Sequence, residues 1–375
     1  MHRVIAVDVL SPTTKPRQAE QSQAELERLI DTYGGLMVVK KVQKRQSPDY
    51  RTYLGKGKLE EIKGEIAGLE ADILVFNNIL RPQQIWHIEE FLRPHKIQVW
   101  DRVDLILKIF AKHAQTTEAK LQIELAAIKH MGPRIFGMGM ELSRQGGGIG
   151  TRGIGETNTE IMKRHLAEQE EKIRGKIQKY HQMHQQQIAN RQRKNLNTIA
   201  ILGYTNAGKS QLLTALTRKE VKVKDELFAT LDTRTGSLYL PELEQICLIS
   251  DTIGFIQDLP PQLISAFKTT LAEALSADLI LMVVDYPDRE RDHKIQVVLE
   301  ILEELGVAQK PIILVANKMD LIKNPRTQTF QKKYQRFKPV FVSALKSQNL
   351  ETLRDDISNF FKKNISERIL FDNSR

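Results

Sequence analysis

Eight consecutive residues carry the most specific chemistry in this 375-residue chain: Gly203-Tyr204-Thr205-Asn206-Ala207-Gly208-Lys209-Ser210, a G-x-x-x-x-G-K-S run. The apolar, β-branched stretch Thr198–Leu202 precedes it, and leucines at helical spacing follow over 211–218. Strand, glycine loop and helix in that order form the setting of a phosphate-binding loop. The glycines let successive backbone N–H groups turn inward around a phosphate, at the positive end of the new helix. Lys209 would neutralise the β- and γ-phosphates, and the Ser210 hydroxyl would ligate Mg²⁺. A chance glycine turn with a solvated lysine would need neither flank.

Further motifs follow in the order GTP chemistry requires. Phe228-Ala229-Thr230-Leu231-Asp232 forms a polar connection after the first helix, where a threonine can close over Mg²⁺ and sense the γ-phosphate. Thr230 is the candidate, with Thr233 and Thr235 as neighbours able to take the role. The strand-like Ile246–Ile249 delivers Asp251-Thr252-Ile253-Gly254. Asp251 would hold Mg²⁺ through water, and the Gly254 N–H would meet the γ-phosphate. The metal set is therefore Ser210, Thr230 and Asp251, and the groups acting on the reacting phosphate are Lys209, Thr230 and Gly254. Two continuous apolar runs, Leu279–Asp285 and Pro311–Ala316, read as buried parallel strands. The second delivers Asn317-Lys318-Met319-Asp320. A carboxylate there accepts from guanine N1–H and the exocyclic amine, a pair that adenine lacks. Asn317 would support the loop, and the Lys318 stem would cover the ring. Ser343-Ala344-Leu345 ends the last strand, with the Ala344 N–H set to meet guanine O6. Phe255 stands directly after Gly254, where Ras-like proteins carry a water-orienting glutamine. A phenyl ring can neither donate to nor accept from water, so slow intrinsic hydrolysis is expected until a partner intervenes.

These residues need a parallel sheet to position them, and the chain offers two. Residues 1–115 alternate strand-like segments (Val4–Leu10, Leu36–Val42, Asp72–Phe76, Lys96–Trp100) with helical ones (Gln21–Tyr33, a helix to Ile66, Gln83–Leu92). That alternation predicts a small, largely parallel α/β domain. Gly55-Lys56-Gly57-Lys58 lacks phosphate-loop spacing and reads as a basic turn before a helix. Residues 116–195 read as a helical, coiled-coil-like hairpin: Leu105–Met131 and Glu156–Arg193 are helical, and Gly137–Gly155 between them is a mobile glycine-rich loop. Arg144 and Arg152 in that loop point either to RNA phosphates or to a mere spacer between domains. Residues 196–375 form the Ras-like α/β G domain.

The net charge of +10 suggests an anionic partner beyond one nucleotide. Cys247, the single cysteine, rules out an internal disulfide and fits a reducing, cytoplasmic compartment. No run approaches the ~18 apolar residues of a membrane span, which leaves only peripheral membrane association open. A chain that is monomeric when free is expected.

With these residues in hand, the chain resembles the HflX family of ribosome-associated GTPases over nearly its whole length. The resemblance rests on Asp101–Ala111, Glu118–Glu124, Gly146–Gly153, Gly155-Glu156-Thr157, Phe228–Asp232 and Asp251–Pro260. The glycine-rich basic segment ahead of the G domain is specific to the family; the phosphate loop and N-K-x-D are shared more widely. Ile154, Asn158 and Pro261 depart from the family's usual proline, glutamine and histidine. The resemblance implies GTP hydrolysis coupled to the large ribosomal subunit and its rRNA, with GDP as product. It implies a role in protein synthesis, ribosome rescue or splitting, or ribosome biogenesis, and in some members ATPase or RNA-remodelling activity of the N-terminal region. A GTPase serving tRNA modification or subunit assembly, or a nucleotide-gated scaffold with little turnover, are the alternatives. Asn206 also resembles the asparagine of GTPases that bind K⁺ beside the phosphates; a purely structural role in the loop stands equal to it.

Overall fold

A computed structural model describes residues 1–145, 158–217, 228, 234–252, 254–256, 276–323 and 327–372. The chain divides into two compact units, Met1–Gln178 and Lys179–Arg375.

In the first unit, β1 (His2–Leu10), β2 (Gly35–Lys44), β3 (Ile73–Phe76) and β4 (Gln98–Trp100) form one parallel sheet in the order β2-β1-β3-β4. The expected parallel α/β sheet is present. Val4–Val9 is buried throughout, as a strand covered on both faces must be. Helices α1 (Pro16–Tyr33), α2 (Lys56–Leu69) and α3 (Pro82–Leu92) make the crossovers. Parallel topology brings their N-termini to the edge where the strands end. Gly34 closes α1 in the left-handed conformation (φ 91°) that a C-terminal cap requires.

The basic Lys56-Gly57-Lys58 segment is not a turn. It forms the first helical turn of α2, with Gly55 in the capping position. The long helical segment is split: α4 (Arg102–His113) ends before α5 (Thr117–Gln145) begins. Asp101 and Asp104 cap α4 reciprocally, the Asp104 N–H donating to Asp101 Oδ1 (2.9 Å) and the Asp101 N–H to Asp104 Oδ2 (3.1 Å). Helix α5 continues through Gly137, Gly139 and Ser143 to Gln145, so that part of the expected loop is helical. Each glycine costs a helix ~1 kcal/mol, and the interspersed methionines, Glu141 and Leu142 restore propensity. The expected second long helix is α6 (Asn158–Arg193); Leu166 lies 3.9 Å from where a Cβ on Gly132 would sit.

The second unit is built on β5 (Thr198–Gly203), β6 (Arg234–Leu240), β7 (Gln245–Asp251), β8 (Leu279–Asp285), β9 (Ile312–Asn317) and β10 (Val340–Phe341). Their order is β10-β9-β8-β5-β7-β6, parallel except for the β6–β7 hairpin. The expected strands are found, and β6 is an addition. It buries Leu238 and Leu240 and exposes Ser237 and Tyr239, the alternation of an edge strand with one wet face. Cys247 is buried in β7, and burial pushes its thiol up to about 11.

Candidate functional site

The phosphate loop joins β5 to α7 (Lys209–Thr217). Gly203 has φ 153°, and a Cβ there would lie 2.2 Å from the Val283 carbonyl oxygen of β8. Gly208 has φ 92°, and its Cβ would meet Asn317 Nδ2 at 2.3 Å. Neither position admits a side chain, so both glycines serve the loop's shape as well as its ligand. Asn206 adopts φ 61°, which asparagine tolerates better than most residues. That conformation is a structural reason for an asparagine here, independent of any ion.

Lys209 is buried, and its Nζ donates to the Tyr204 carbonyl at 2.9 Å. Burial pulls its ammonium down to about 8, against a smaller opposing pull from the Asp251 charge. A phosphate would supply the countercharge that burial demands. Ser210 Oγ donates to Asp251 Oδ2 at 2.5 Å, and Asp251 is fully buried at the end of β7. A hydroxyl and a carboxylate from two elements thus meet at the mouth of the loop, hard oxygen donors of the kind that suit Mg²⁺.

Residues 254–256 run beside the loop. The Thr205 N–H donates to the Phe255 carbonyl (2.7 Å), and the Phe255 N–H donates to the Gly203 carbonyl (3.1 Å). A Cβ on Gly254 would lie 2.8 Å from Lys209 Nζ and 2.9 Å from Thr205 Cγ2. Only glycine lets this backbone approach the ammonium so closely. The Phe255 ring is 1% exposed, so it packs in the core and presents nothing to a water.

The base-recognition residues gather at the ends of β9 and β10. Asn317 Nδ2 donates to the Ala207 carbonyl (3.0 Å), and its Oδ1 accepts from the Ala344 N–H (2.9 Å). One asparagine therefore ties the phosphate loop to the last strand's exit. The Ala344 N–H, expected to face guanine O6, is engaged with Asn317 instead. Ser343 Oγ donates to Asp320 Oδ1 (2.6 Å), fixing that carboxylate. Met319 donates its N–H to the Val342 carbonyl (3.2 Å), and Leu345 is 67% exposed. Sequence reasoning missed Asp285, whose Oδ2 accepts from Lys318 Nζ at 2.7 Å. It also missed Lys294, which lies 4.9 Å above the Tyr204 ring.

Thr235, an alternative to Thr230, pairs with Ser250 within the β6–β7 hairpin. It lines a cavity with Thr198, Leu248, Ser250 and Asp278. That position does not belong to the phosphate loop. Thr252 Oγ1 donates to the Ile201 carbonyl (3.0 Å), and Phe228 is buried at φ 57°. Ala229, Thr230, Leu231, Asp232, Thr233, Ile253 and Arg152 lie outside the described residues; Arg144 falls in the last turn of α5.

Comparison with known proteins agrees with this geometry. Residues 20–111 match the family described as GTP-binding GTPase N-terminal, and residues 113–191 the GTP-binding GTPase Middle Region. Residues 198–318 match the family described as 50S ribosome-binding GTPase. The chain is 41% identical to the GTPase HflX of Caldanaerobacter subterraneus subsp. tengcongensis, over 85% of this chain and 73% of that protein. It is 36% identical to the GTPase HflX of Escherichia coli K12, over 83% and 72% respectively. Among solved structures, SsGBP in complex with GDP superimposes with a TM-score of 0.53 and 27% identity, covering 96% of this chain and 99% of that one.

Proposed function

The chain belongs to the HflX family of GTPases, and we propose that it hydrolyses GTP with Mg²⁺ at the large ribosomal subunit. GTP hydrolysis is the family's activity. The observation that carries the site reading is the convergence of Gly254, Lys209, Ser210 and Asp251 at one loop mouth. Lys209 holds the β- and γ-phosphates, the Gly254 N–H meets the γ-phosphate, and Thr230 closes over the site. Ser210 and Thr230, and Asp251 through water, would hold Mg²⁺, which would supply charge neutralisation of the transferring phosphoryl group. Asp320 selects guanine, and Asn317 keeps the base and phosphate halves in register. With Phe255 in the core, no side chain at that position orients the attacking water, so turnover alone is slow. Acceleration comes from the ribosome. K⁺ at Asn206 would add charge beside the leaving phosphate; unequal turnover in matched KCl and NaCl, abolished by Asn206→Ala, supports that role.

The ribosomal partner is supported by the family described for 198–318 and by charge in the first unit. At the carboxyl edge of its sheet, Lys44, Arg51, Lys56 and Arg81 are exposed, and Tyr50 beside them is 70% exposed with Arg81 6.0 Å from its ring. None of α1, α2 or α3 has an acidic residue in its first turn. Asp49 is the carboxylate within this loop, and the N–H groups of Thr52 and then Arg51 hold it below its ordinary range. Such a face suits RNA phosphates, together with Arg144 and Arg152. The three-part division at residues 115 and 195, action as a monomer in the cytoplasm, and a role in rescue, splitting or biogenesis belong to the same proposal. Among the described residues no helix is long and apolar enough to cross a membrane. Co-sedimentation with purified large subunits tests it: binding with a non-hydrolysable GTP analogue and release with GDP is expected, and no binding in either state would refute it.

A further inference from the structure

We infer that Asp285 is a positioning residue for guanine recognition, acting through Lys318 and resting on the guanine-nucleotide reading above. Asp285 is the last residue of β8, paired in register with Asn317 of β9. Its Oδ2 accepts from Lys318 Nζ at 2.7 Å, with the two side chains 26% and 25% exposed. Its Oδ1 is buried and has no hydrogen-bond partner among the described residues. A half-buried carboxylate with one oxygen unsatisfied costs stability. The carboxylate is engaged through its other oxygen, by Lys318.

Lys318 needs such a partner. Its backbone lies in the left-handed region (φ 66°, ψ 33°), immediately before the short helical turn Met319–Leu321. The apolar stem is the part that covers a purine ring, while the ammonium contributes nothing to base identity. A lysine side chain loses much rotamer freedom when it is fixed. The Asp285 carboxylate fixes the ammonium beforehand, at a point set by the strand, and so holds the stem extended over the base site. The rest of the pocket is already immobilised: Ser343 holds Asp320, and Asn317 joins Ala207 to Ala344. Lys318 is the long, flexible member of that set, and Asp285 removes its freedom. Pre-organisation of this kind strengthens binding by lowering the entropy lost when the ligand arrives.

An effect on the base differs from one on the phosphates. Asp285→Ala should weaken GDP and GTP by the same factor, about three- to tenfold, the range of a partly exposed ion pair plus one ordered side chain. Turnover at saturating GTP should not change. In a Lys318→Met background, Asp285→Ala should cost nothing further, because the stem there has no ammonium to anchor. Fluorescent GDP and GTP analogues, titrated into the full chain and its single and double variants, give these affinities; melting temperatures identify variants that have lost the fold. Asp285→Asn, isosteric and uncharged, keeps the test available if the alanine variant unfolds and should lose affinity by an intermediate factor. Unchanged affinity in both Asp285 variants, additive losses in the double variant, or a GTP loss well beyond the GDP loss would each overturn the inference. Wild-type failure to prefer guanine over adenine nucleotides would instead refute the underlying site reading.

Discussion

The two sheets of this chain solve the same topological problem and finish their carboxyl edges differently. Both are parallel at their centre, so both bring helix N-termini to the edge where the strands end. In the second unit that edge is built for close approach: Gly203 and Gly208 sit where no Cβ fits, and Gly254 is pressed against the Lys209 ammonium. In the first unit the edge carries charge without such a cradle. Lys44, Arg51, Lys56 and Arg81 are exposed; a Cβ on Gly57 at the start of α2 would meet nothing within 4 Å, and one on Gly55 would meet the ends of side chains, Arg45 Nη1 at 2.6 Å and Gln43 Nε2 at 3.1 Å. Enclosure suits one small ligand; an open basic edge suits a long polyanion held by many weak contacts.

The largest expected effect breaks the enclosed edge. Lys209→Ala should lower GTP affinity by about two orders of magnitude, the loss of charge-assisted bonds from a desolvated site. Gly254→Ala should weaken GTP more than GDP, since the new Cβ meets the ammonium that holds the γ-phosphate; equal losses would remove Gly254 from the γ-phosphate site. Asp320→Asn comes next and should cut the preference for GTP over other nucleotides by about a hundredfold, because the carboxylate is replaced by an amide that cannot accept both guanine protons. Retained discrimination in a competition assay would refute its assignment.

On the open edge, Arg51→Ala, Lys56→Ala and Arg81→Ala together should weaken binding to large subunits about tenfold and flatten its salt dependence, with GTP affinity unchanged. A change in GTP affinity would show that the two edges are not independent. The last effect is on pH and is confined to the alkaline range. Burial lowers the Lys209 pKa to about 8 from 10.5, and a bound phosphate raises it again. Below pH 8 the lysine is charged in both states and affinity is constant. Above pH 8 binding must take up a proton, so affinity should fall by up to about tenfold per pH unit. In the nucleotide-free protein the sign is reversed: the unfolded lysine binds the proton more tightly between pH 8 and 10.5, so stability rises with pH across that window. Lys209→Arg should flatten the affinity profile.

The enclosed edge was legible in the sequence because its chemistry dictates local spacing. Glycines, lysine and serine must follow one another directly for the backbone to wrap a phosphate, and the flanking apolar runs announce the strands. What escaped was whatever depends on distant residues or weak local pattern. The Lys318–Asp285 and Ala344–Asn317 bonds join positions 33 and 27 residues apart, and nothing near either residue signals its partner. Strand β6 was hidden because it contains Gly236 and Ser237 and buries only alternate residues. Helix α5 runs into glycines that local propensity alone would have assigned to a loop. The basic edge of the first unit was visible only as surplus charge, since topology, not spacing, gathers Lys44, Lys56 and Arg81.

The central claim, that an enclosed nucleotide site with a buried phenylalanine at position 255 is driven by a polyanionic partner, is tested most directly by steady-state GTP turnover of the full chain against increasing purified large subunits at several salt concentrations. Slow turnover alone, rising to a plateau with added subunits at a midpoint that shifts upward with salt, is predicted. A rate unaffected by large subunits, or already fast without them, would contradict it.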